Sequence, residues 1–317
     1  MSYPGPSVLA VDTLIRAHGL IKRFGDFTAV DGIDVDVRRG EAFGFLGPNG
    51  AGKSSTMRMI GCVSPPTAGV LEILGLDPLR DGPAIRAKLG VCPQLDNLDI
   101  ELTVRENLTT YARFFGIPRR VARRRADELL EFVQLSERAG SRVEPLSGGM
   151  KRRLTIARAL INEPEIVLLD EPTTGLDPQA RHLVWERLFR LKQQGVTLVL
   201  TTHYMDEAEQ LCDRLVVMDG GRIVAEGSPR SLIERYSTRE VVELRFAAES
   251  QEAYAEKLAG LGDRLEVLPD RILLYCEDGD DTVAKVQRRS LTPASVLVRR
   301  SSLEDVFLHL TGRTLVD

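Results

Sequence analysis

The sequence predicts an α/β fold with a parallel central sheet, followed by a small ferredoxin-like α+β domain. Three observations carry this prediction. A glycine-rich loop, Gly47–Ser55, lies between an apolar strand and the start of a helix. Strands and helices then alternate to about residue 227, as in α/β domains with parallel sheets. From about residue 241 the order strand–helix–strand–strand–helix–strand follows, which is typical of a ferredoxin-like domain.

The composition of the 317-residue chain is that of an ordinary globular protein, with 43% hydrophobic and 28% charged residues. The net charge of −4 argues against general nucleic-acid binding, so we expect no nucleic-acid partner. The sequence has no run of about 18 apolar residues, and its first ten residues lack the pattern of a signal peptide. Its four cysteines are scattered, which favours a reducing compartment over disulfides or zinc.

The first part of the chain predicts an antiparallel portion and then the strand that carries the loop. We expect residues 1–12 to form a flexible leader, because prolines and glycine interrupt them. Strands are predicted, in order, over residues 14–20, 30–37, 41–46, 70–74 and 89–92. Pro65-Pro66 and Gly82-Pro83 are predicted as breaks between the later strands.

A helical segment is predicted from about residue 102 to residue 159. Thr103 is a candidate N-cap with Glu106 three positions on, the pattern of a capping box. Pro118 ends the first helix, and a second helix is predicted over residues 119–135. Its arginine cluster is either a solvated helix face, which we favour, or a contact surface for an acidic partner; it comprises Arg119, Arg120, Arg123, Arg124 and Arg125.

The remaining elements complete both domains. In the first, strands are predicted over residues 165–170, 197–202, 214–218 and 223–227, with helices over 179–194 and 206–212. In the second, strands are predicted over residues 241–246, 264–268, 271–276 and 294–298, with helices over 251–261, 281–289 and 303–310. The acidic turn Glu277–Asp281 lacks the full calcium-loop pattern, so we expect a solvated loop there.

The glycine-rich loop fits the pattern G-x-x-x-x-G-K-[ST] of a phosphate-binding loop. Glycines let successive backbone N–H groups point into one concavity, and the helix N-terminus adds partial positive charge. Lys53 is expected to reach the β- and γ-phosphates, and the Ser54 hydroxyl to hold Mg²⁺. The predicted phosphate-binding residues are Gly47, Pro48, Asn49, Gly50, Ala51, Gly52, Lys53, Ser54 and Ser55.

Two further segments carry chemistry. An apolar strand ends at Asp170-Glu171, so that Asp170 is expected to bind Mg²⁺ and Glu171 to activate water as a general base. Ser147-Gly148-Gly149 opens a helix, where Ser147 is a candidate N-cap and the glycines allow backbone N–H groups to approach an anion.

The segment Leu-Ser-Gly-Gly-Met-Lys at residues 146–151, placed before the acidic strand end, resembles the signature motif of the ATP-binding-cassette (ABC) ATPases. The resemblance covers about residues 14–227. It departs from the commonest pattern at Met150, where glutamine is more frequent. It implies an ABC ATPase domain over residues 13–235, with a helical subdomain at about 95–159, and an accessory or regulatory domain over 236–317.

The resemblance also implies roles for residues that the loop pattern does not reach. Phe24 matches the aromatic residue that stacks on adenine, although tyrosine is more frequent there. Gln94 matches the glutamine that contacts Mg²⁺ and the attacking water and senses the membrane partner. Asp177, in Gly175-Leu176-Asp177, matches a segment that crosses the dimer interface. His203 matches the switch histidine that contacts the γ-phosphate.

In such ATPases two cassettes pack head to tail, so ATP lies between the phosphate loop of one and the signature segment of the other. The resemblance therefore implies ATP and Mg²⁺ as cofactors and a second ATP-binding subunit, as a homodimer. It also implies an integral membrane permease as a separate subunit, and a peripheral location on the cytoplasmic face of the inner membrane.

Finer matches narrow the branch. Leu-Asp-Asn-Leu-Asp after Gln94, residues 180–187 and the tail Ser-Ser-Leu-Glu-Asp-Val-Phe resemble the nodulation-factor exporter ATPases, relatives of the daunorubicin-resistance type. That branch implies export of an amphiphilic drug, lipid or lipo-oligosaccharide. A soluble ABC ATPase of translation or DNA repair is disfavoured, because the chain has one cassette and no long coiled-coil insertion. The signature segment and His203 also disfavour a P-loop kinase or GTPase.

Overall fold

The computed structural model describes residues 12–246 and 251–312. The predicted leader, residues 1–12, lies outside this range except for Asp12. The chain forms two compact units, divided between Glu226 and Gly227. The sequence places the boundary after residue 235 instead; the difference arises because the intervening helix packs on the last helix of the second unit. Within the described residues, we find no helix that is both long and apolar enough to cross a membrane.

The strands of the first unit form two sheets. In chain order they are β1 (Thr13–Phe24), β2 (Phe27–Arg38), β3 (Ala42–Leu46), β4 (Ala68–Ile73), β5 (Leu89–Cys92), β6 (Ile166–Asp170), β7 (Thr197–Thr202), β8 (Arg214–Asp219) and β9 (Arg222–Gly227). Strands β2, β1 and β4 form a three-stranded antiparallel sheet. β1 and β2 are longer than predicted, because they form one hairpin that continues to the pair Phe24–Phe27.

The second sheet of this unit has six strands in the order β5-β6-β7-β3-β8-β9. The pairs from β5 to β8 are parallel. Strand β3 is flanked by β7 and β8 and is fully buried, as its run of apolar residues predicts. The carboxyl ends of β3, β6 and β7 therefore meet at one edge of the sheet, where ligands bind in folds of this type.

The helices of the first unit are α1 (Lys53–Ile60), α2 (Gly82–Ala87), α3 (Val104–Phe114), α4 (Arg119–Phe132), α5 (Gly148–Ala159), α6 (Pro178–Gln193) and α7 (Met205–Leu211). Gly82-Pro83 lies between β4 and β5, as predicted, and begins α2 there. Proline is well tolerated in the first turn of a helix, where its missing N–H has no helical partner.

Helices α3, α4 and α5 enclose a core of their own between β5 and β6. The capping box predicted at the start of α3 is present, since Thr103 and Glu106 each accept a backbone hydrogen bond from the other. In the arginine cluster, Arg125 pairs with Glu163 at 2.5 Å and Arg124 lies 3.7 Å from Glu128. The other three arginines are exposed.

The second unit contains α8 (Pro229–Tyr236), β10 (Glu240–Arg245), α9 (Glu252–Leu258), β11 (Arg264–Val267), β12 (Ile272–Cys276), α10 (Gly279–Arg288), β13 (Ser295–Arg300) and α11 (Leu303–Thr311). Its four strands form an antiparallel sheet in the order β11-β12-β10-β13. The strand–helix–strand–strand–helix–strand order is the one predicted for a ferredoxin-like domain.

The acidic turn of this unit has a different role from the one predicted. Asp278 is the N-cap of α10 and accepts a hydrogen bond from the Asp281 N–H at 2.9 Å. Asp280 and Asp281 lie in the first turn of the helix, where carboxylates interact favourably with the helix dipole. The turn is therefore a helix start rather than a solvated loop.

Candidate active site

The phosphate-binding loop joins β3 to α1 and buries its lysine. The side chain of Lys53 is only 4% exposed. Its Nζ donates to the carbonyl oxygens of Gly47 at 2.7 Å and Pro48 at 3.0 Å. Burial lowers the pKa of Lys53, and the nearby charges of Glu171 and Asp170 oppose this effect. The lysine cation is thus held mainly by neutral carbonyl groups of its own loop.

Gly52, at the N-cap of α1, is required by the local geometry. Its φ of 100° lies in the left-handed region that favours glycine. A Cβ atom at this position would lie 2.4 Å from the carbonyl oxygen of Ala29, closer than any real contact. The loop can therefore pass β2 at this distance only with glycine at residue 52.

A carboxylate and two hydroxyl groups meet beside this loop. The Ser54 hydroxyl donates to Asp170 Oδ1 at 3.1 Å, and the Thr201 hydroxyl donates to the same oxygen at 2.6 Å. The strands β6 and β7 place Asp170 and Thr201 side by side. This oxygen-only donor set has the chemistry that Mg²⁺ prefers, with phosphates supplying further ligands. Among the described residues, no group of three or more His, Cys, Asp or Glu side chains could hold a metal alone.

Glu171 lies one residue beyond β6, and four polar side chains surround its carboxylate. Its Oε2 accepts hydrogen bonds from Gln94 Nε2 at 2.9 Å and from the Thr174 hydroxyl at 3.1 Å. Its Oε1 lies 3.4 Å from His203 Nδ1 and 3.9 Å from Lys53 Nζ. The His203 imidazole, more than any other group, lowers the pKa of Glu171, against the effect of burial. The carboxylate is therefore ionised at neutral pH and available to accept a proton.

The backbone of Glu171 has a φ of 48°, which is rare for a residue with a side chain. Its N–H donates to the carbonyl and the hydroxyl oxygen of Thr201. These hydrogen bonds hold the unfavourable conformation. Backbone strain of this kind is common at active sites, where the surrounding structure fixes it.

Arg152 is a site residue that no sequence motif identifies. It is 4% exposed and its guanidinium donates to the carbonyl oxygens of Asp170, Glu171 and Pro172. It also donates to Pro93 at 2.5 Å, next to Gln94. Arg152 thus joins α5 to both loops that meet at Glu171. The sequence contains a signal for it: an arginine stands on the same helix face as the apolar residues Ile156 and Ala159.

Ser147, Gly148, Gly149 and Asp177 form a group separate from the phosphate loop. Ser147 accepts from the Met150 N–H at 3.3 Å at the start of α5, and Asp177 accepts from the Ala180 N–H at 2.9 Å at the start of α6. A Cβ atom at Gly149 would lie 2.8 Å from Ala180 Cβ. The two helix starts therefore pack directly on each other.

Phe24 lies at the tip of the β1–β2 hairpin. Its side chain is 49% exposed, so it is not a core residue. Lys22 Nζ lies 4.9 Å from the centre of its ring. An exposed aromatic face beside a cation is suited to stacking on a planar anionic ligand.

The structure thus brings the phosphate loop, Asp170, Glu171, Gln94 and His203 to one edge of the six-stranded sheet. The buried lysine and the helix start suit a polyphosphate. The ionised Glu171 carboxylate lies where it could take a proton from water. The arrangement fits the hydrolysis of a nucleoside triphosphate with Mg²⁺.

Comparisons with known proteins agree with this chemistry. Residues 30–174 match the ABC transporter family, and residues 248–312 match the family described as "Nodulation factor export protein NodI, C-terminal domain". The chain is 46% identical to the Nod factor export ATP-binding protein I of Ralstonia nicotianae, over 99% of this chain and 98% of that protein. It is 48% identical to the protein of the same name from Rhizobium sp. strain N33, over 95% and 98% of the two chains.

Solved structures show the same fold for the first unit. A dimeric ATP-binding cassette in a post-hydrolysis state, bound to ADP and Pi, matches with a TM-score of 0.62 and 29% identity, over 68% of this chain and 98% of that one. The ATP-binding subunit of an ABC transporter matches with a TM-score of 0.64 and 33% identity, over 71% and 93% of the two chains. The α/β cassette fold predicted from the sequence is confirmed.

Proposed function

The chain belongs to the ABC transporter ATPases of the Nod factor export ATP-binding type, and from this premise we propose that it drives export of an amphiphilic molecule through a separate permease. It is an ATP-binding and ATP-hydrolysing subunit. Its relatives are named for Nod factor export, so a Nod factor is the first cargo to test, before other lipo-oligosaccharides, lipids or drugs.

One observation carries the proposed chemistry: the Glu171 carboxylate, whose pKa the neighbouring His203 lowers, lies within contact distance of Gln94, His203 and Lys53. In this proposal Lys53 leaves its loop carbonyls and neutralises the β- and γ-phosphates. Ser54 and Asp170 hold Mg²⁺, which supplies charge neutralisation at the phosphates. Glu171 takes a proton from the attacking water, which Gln94 orients, and His203 contacts the γ-phosphate. Phe24 stacks on the adenine ring.

We further propose that two copies of the chain form the complete ATPase. The match to a dimeric cassette supports this. Ser147 caps α5, and both Ser147 and Gly148 are exposed at this helix start, which is separate from the phosphate loop and α1. In a head-to-tail dimer they would face the γ-phosphate held by the other copy, and Asp177 would lie at the interface.

A cavity of about 780 Å³ beside the active site is the surface that we assign to the permease. Gln94 and Ser54 lie on one wall of the cavity, and α3 forms another. The apolar side chains of Phe114, Leu95 and Val63 are 81%, 76% and 73% exposed there. A contiguous exposed apolar surface is typical of a protein contact site. A permease segment in this cavity would touch Gln94 and so reach Glu171. We propose a peripheral location on the cytoplasmic face of the membrane, which a contact with a permease supports.

Isolation of the chain from its native membranes in mild detergent tests this assignment. We expect a polytopic partner without a cassette to co-purify with the wild-type chain. The variant F114D/L95D should lose this partner, whereas L79D, an exposed leucine outside the cavity, should keep it. Recovery of ribosomal or DNA-bound partners instead would contradict the transport function and leave the ATPase chemistry intact.

A further inference from the structure

Glu207 is a buried carboxyl group that the roles above do not use. It lies in α7, one helical turn after His203, and its relative exposure is 0%. Glutamate is almost never fully buried unless it has partners. Its place and its partners therefore need a reason other than the packing of α7.

A single oxygen of Glu207 joins three elements of the active-site edge. Its Oε1 accepts a hydrogen bond from the Thr173 hydroxyl at 2.8 Å and another from Trp185 Nε1 at 3.1 Å. Thr173 is itself fully buried and lies in the loop between Glu171 and Asp177. Trp185 belongs to α6, the helix that Asp177 caps. Glu207 thus connects α7, this loop and α6.

Both ends of this connection lie next to the proposed catalytic groups. Thr174, adjacent to Thr173, donates to Glu171 at 3.1 Å. On the other side, the rings of His203 and Tyr204 lie 4.1 Å apart, immediately before α7. The guanidinium of Arg181 in α6 lies 4.4 Å from the centre of the Tyr204 ring. Glu207 therefore lies between the loop that follows Glu171 and the segment that carries His203.

The carboxyl group is costly at this position. Burial raises the pKa of Glu207, although the hydroxyl groups of Thr202 and Thr173 and the Trp185 indole favour its charge. Its Oε2 accepts no hydrogen bond of good geometry within residues 12–246 and 251–312. An apolar side chain could fill the same space at lower cost, but it could not accept two directed hydrogen bonds. The buried carboxylate therefore destabilises the fold but fixes the orientation of Thr173 and Trp185.

We propose that Glu207 is a positioning residue for ATP hydrolysis. It holds the Thr173–Thr174 loop and the start of α7 at a fixed separation, so that Glu171 and His203 face the same γ-phosphate. It also transmits any movement of the interface segment at Asp177 to both groups. This inference rests on the roles proposed above for Glu171 and His203.

Steady-state ATPase kinetics of the full chain test the proposal. We expect Glu207→Ala to lower kcat at least tenfold while KM for ATP changes less than twofold, because the phosphate loop is untouched. Glu207→Gln keeps an oxygen that accepts both hydrogen bonds, so it should restore most of kcat. Thr173→Val should lower kcat several-fold and Thr173→Ser should not. The double variant E207A/T173V should be no slower than E207A alone, since both remove the same contact.

Asp206→Ala, an exposed acid in the same helix, is the matched control and should leave kcat unchanged. Wild-type kcat in folded E207A or in T173V would overturn the proposal. So would a loss of kcat that Glu207→Gln does not restore, since that would indicate a role of charge or packing alone. If E207A fails to fold, T173V and Trp185→Phe decide the question. Turnover in Glu171→Gln is measured in parallel, because normal turnover there would overturn the catalytic assignment instead.

Discussion

Two buried groups of charged side chains, one in each compact unit, pair their charges differently. In the second unit, Arg299 donates to both oxygens of Asp305, at 2.7 and 2.9 Å, and to Glu243 at 2.6 Å. Asp305 is 1% exposed and also accepts from the Ser302 N–H. Each buried charge in this group has an opposite charge within hydrogen-bond distance. The group joins β10, β13 and α11.

At the active-site edge of the first unit, the pairing is incomplete. Lys53 is held by carbonyl groups, and its nearest carboxylate oxygen lies 3.9 Å away. Glu171 accepts hydrogen bonds from neutral groups and lies at the edge of contact with His203. The difference indicates that fully paired charges stabilise the fold. Charges without a close opposite charge remain available to pair with a bound polyphosphate and its metal ion. Substitutions in the two groups should therefore affect different properties.

The largest effect is expected at Glu171. Glu171→Gln removes the proton acceptor and keeps the shape of the side chain, so turnover should fall by about 10²-fold or more while ATP still binds. ATP-bound dimers should then accumulate, which gel filtration with and without ATP would detect. Normal turnover in this variant would contradict the assignment of Glu171 as the base.

Substitution in the group formed by Arg299, Asp305 and Glu243 should instead change the stability of the second unit. Arg299→Ala leaves Asp305 without its cation and Glu243 with Arg271 alone, and we expect a loss of about 3 kcal/mol in the free energy of unfolding of this unit. Hydrogen exchange over residues 241–308 would measure it. Arg300→Ala, at an exposed position, should cost less than about 0.5 kcal/mol. A change in ATP affinity in R299A would contradict the separation of the two groups.

The ion pair between Arg299 and Asp305 should also make the stability of the second unit depend on pH, with a sign that the pKa of Asp305 determines. Burial opposes the charge of Asp305, but Arg299 and the Ser302 N–H outweigh it and lower the pKa of this carboxyl. Because the folded pKa is below the unfolded value of about 3.9, the pair contributes its stability above that value. The contribution is lost as the pH falls through the folded pKa. The difference between wild type and R299A should therefore shrink in acid.

A smaller effect is expected at Lys53. Lys53→Ala removes the cation that we assign to the phosphates, so affinity for a fluorescent ATP analogue should fall about tenfold or more. The stability without nucleotide should change little, because water can replace Lys53 as the hydrogen-bond donor to the loop carbonyls of Gly47 and Pro48. Unchanged affinity would contradict the role of the phosphate loop.

The smallest effect concerns thiol reactivity. The rate at which maleimide labels a buried cysteine reports how often the structure around that cysteine opens locally, and so compares the two units. Burial raises the pKa of the Cys92 thiol, at the end of β5, to about 11, and it also raises the pKa of Cys276 in β12. Burial raises the pKa of Cys62 as well, but this thiol is only half-buried, so Cys92 and Cys276 should react with maleimide at least tenfold more slowly than Cys62. If added ATP changes the rate at Cys92, the rate at Cys276 should stay constant. Fast labelling of Cys276 in the native protein would contradict the closed packing of the second unit.

The sequence predicts those parts of the site that lie in continuous segments. The phosphate loop, Asp170-Glu171 and His203 all follow apolar strands, and parallel strands bring their carboxyl ends together. Arg152, Thr201 and Glu207 were missed, because their contacts depend on which distant segments approach them. The start of α10 was missed for another reason. An acidic cluster is as typical of a solvated loop as of the first turn of a helix, and the sequence alone does not distinguish the two.

The contact between Gly149 and Ala180 has a consequence for the two nucleotide sites of the proposed dimer. The signature segment of each chain would contact the nucleotide of the other copy, while the loop that leads to Asp177 begins at Glu171, beside the nucleotide of its own chain. Because the starts of α5 and α6 pack directly on each other, a displacement of one would be passed to the other. The two nucleotide sites of the proposed dimer would then be mechanically coupled through this contact in each copy.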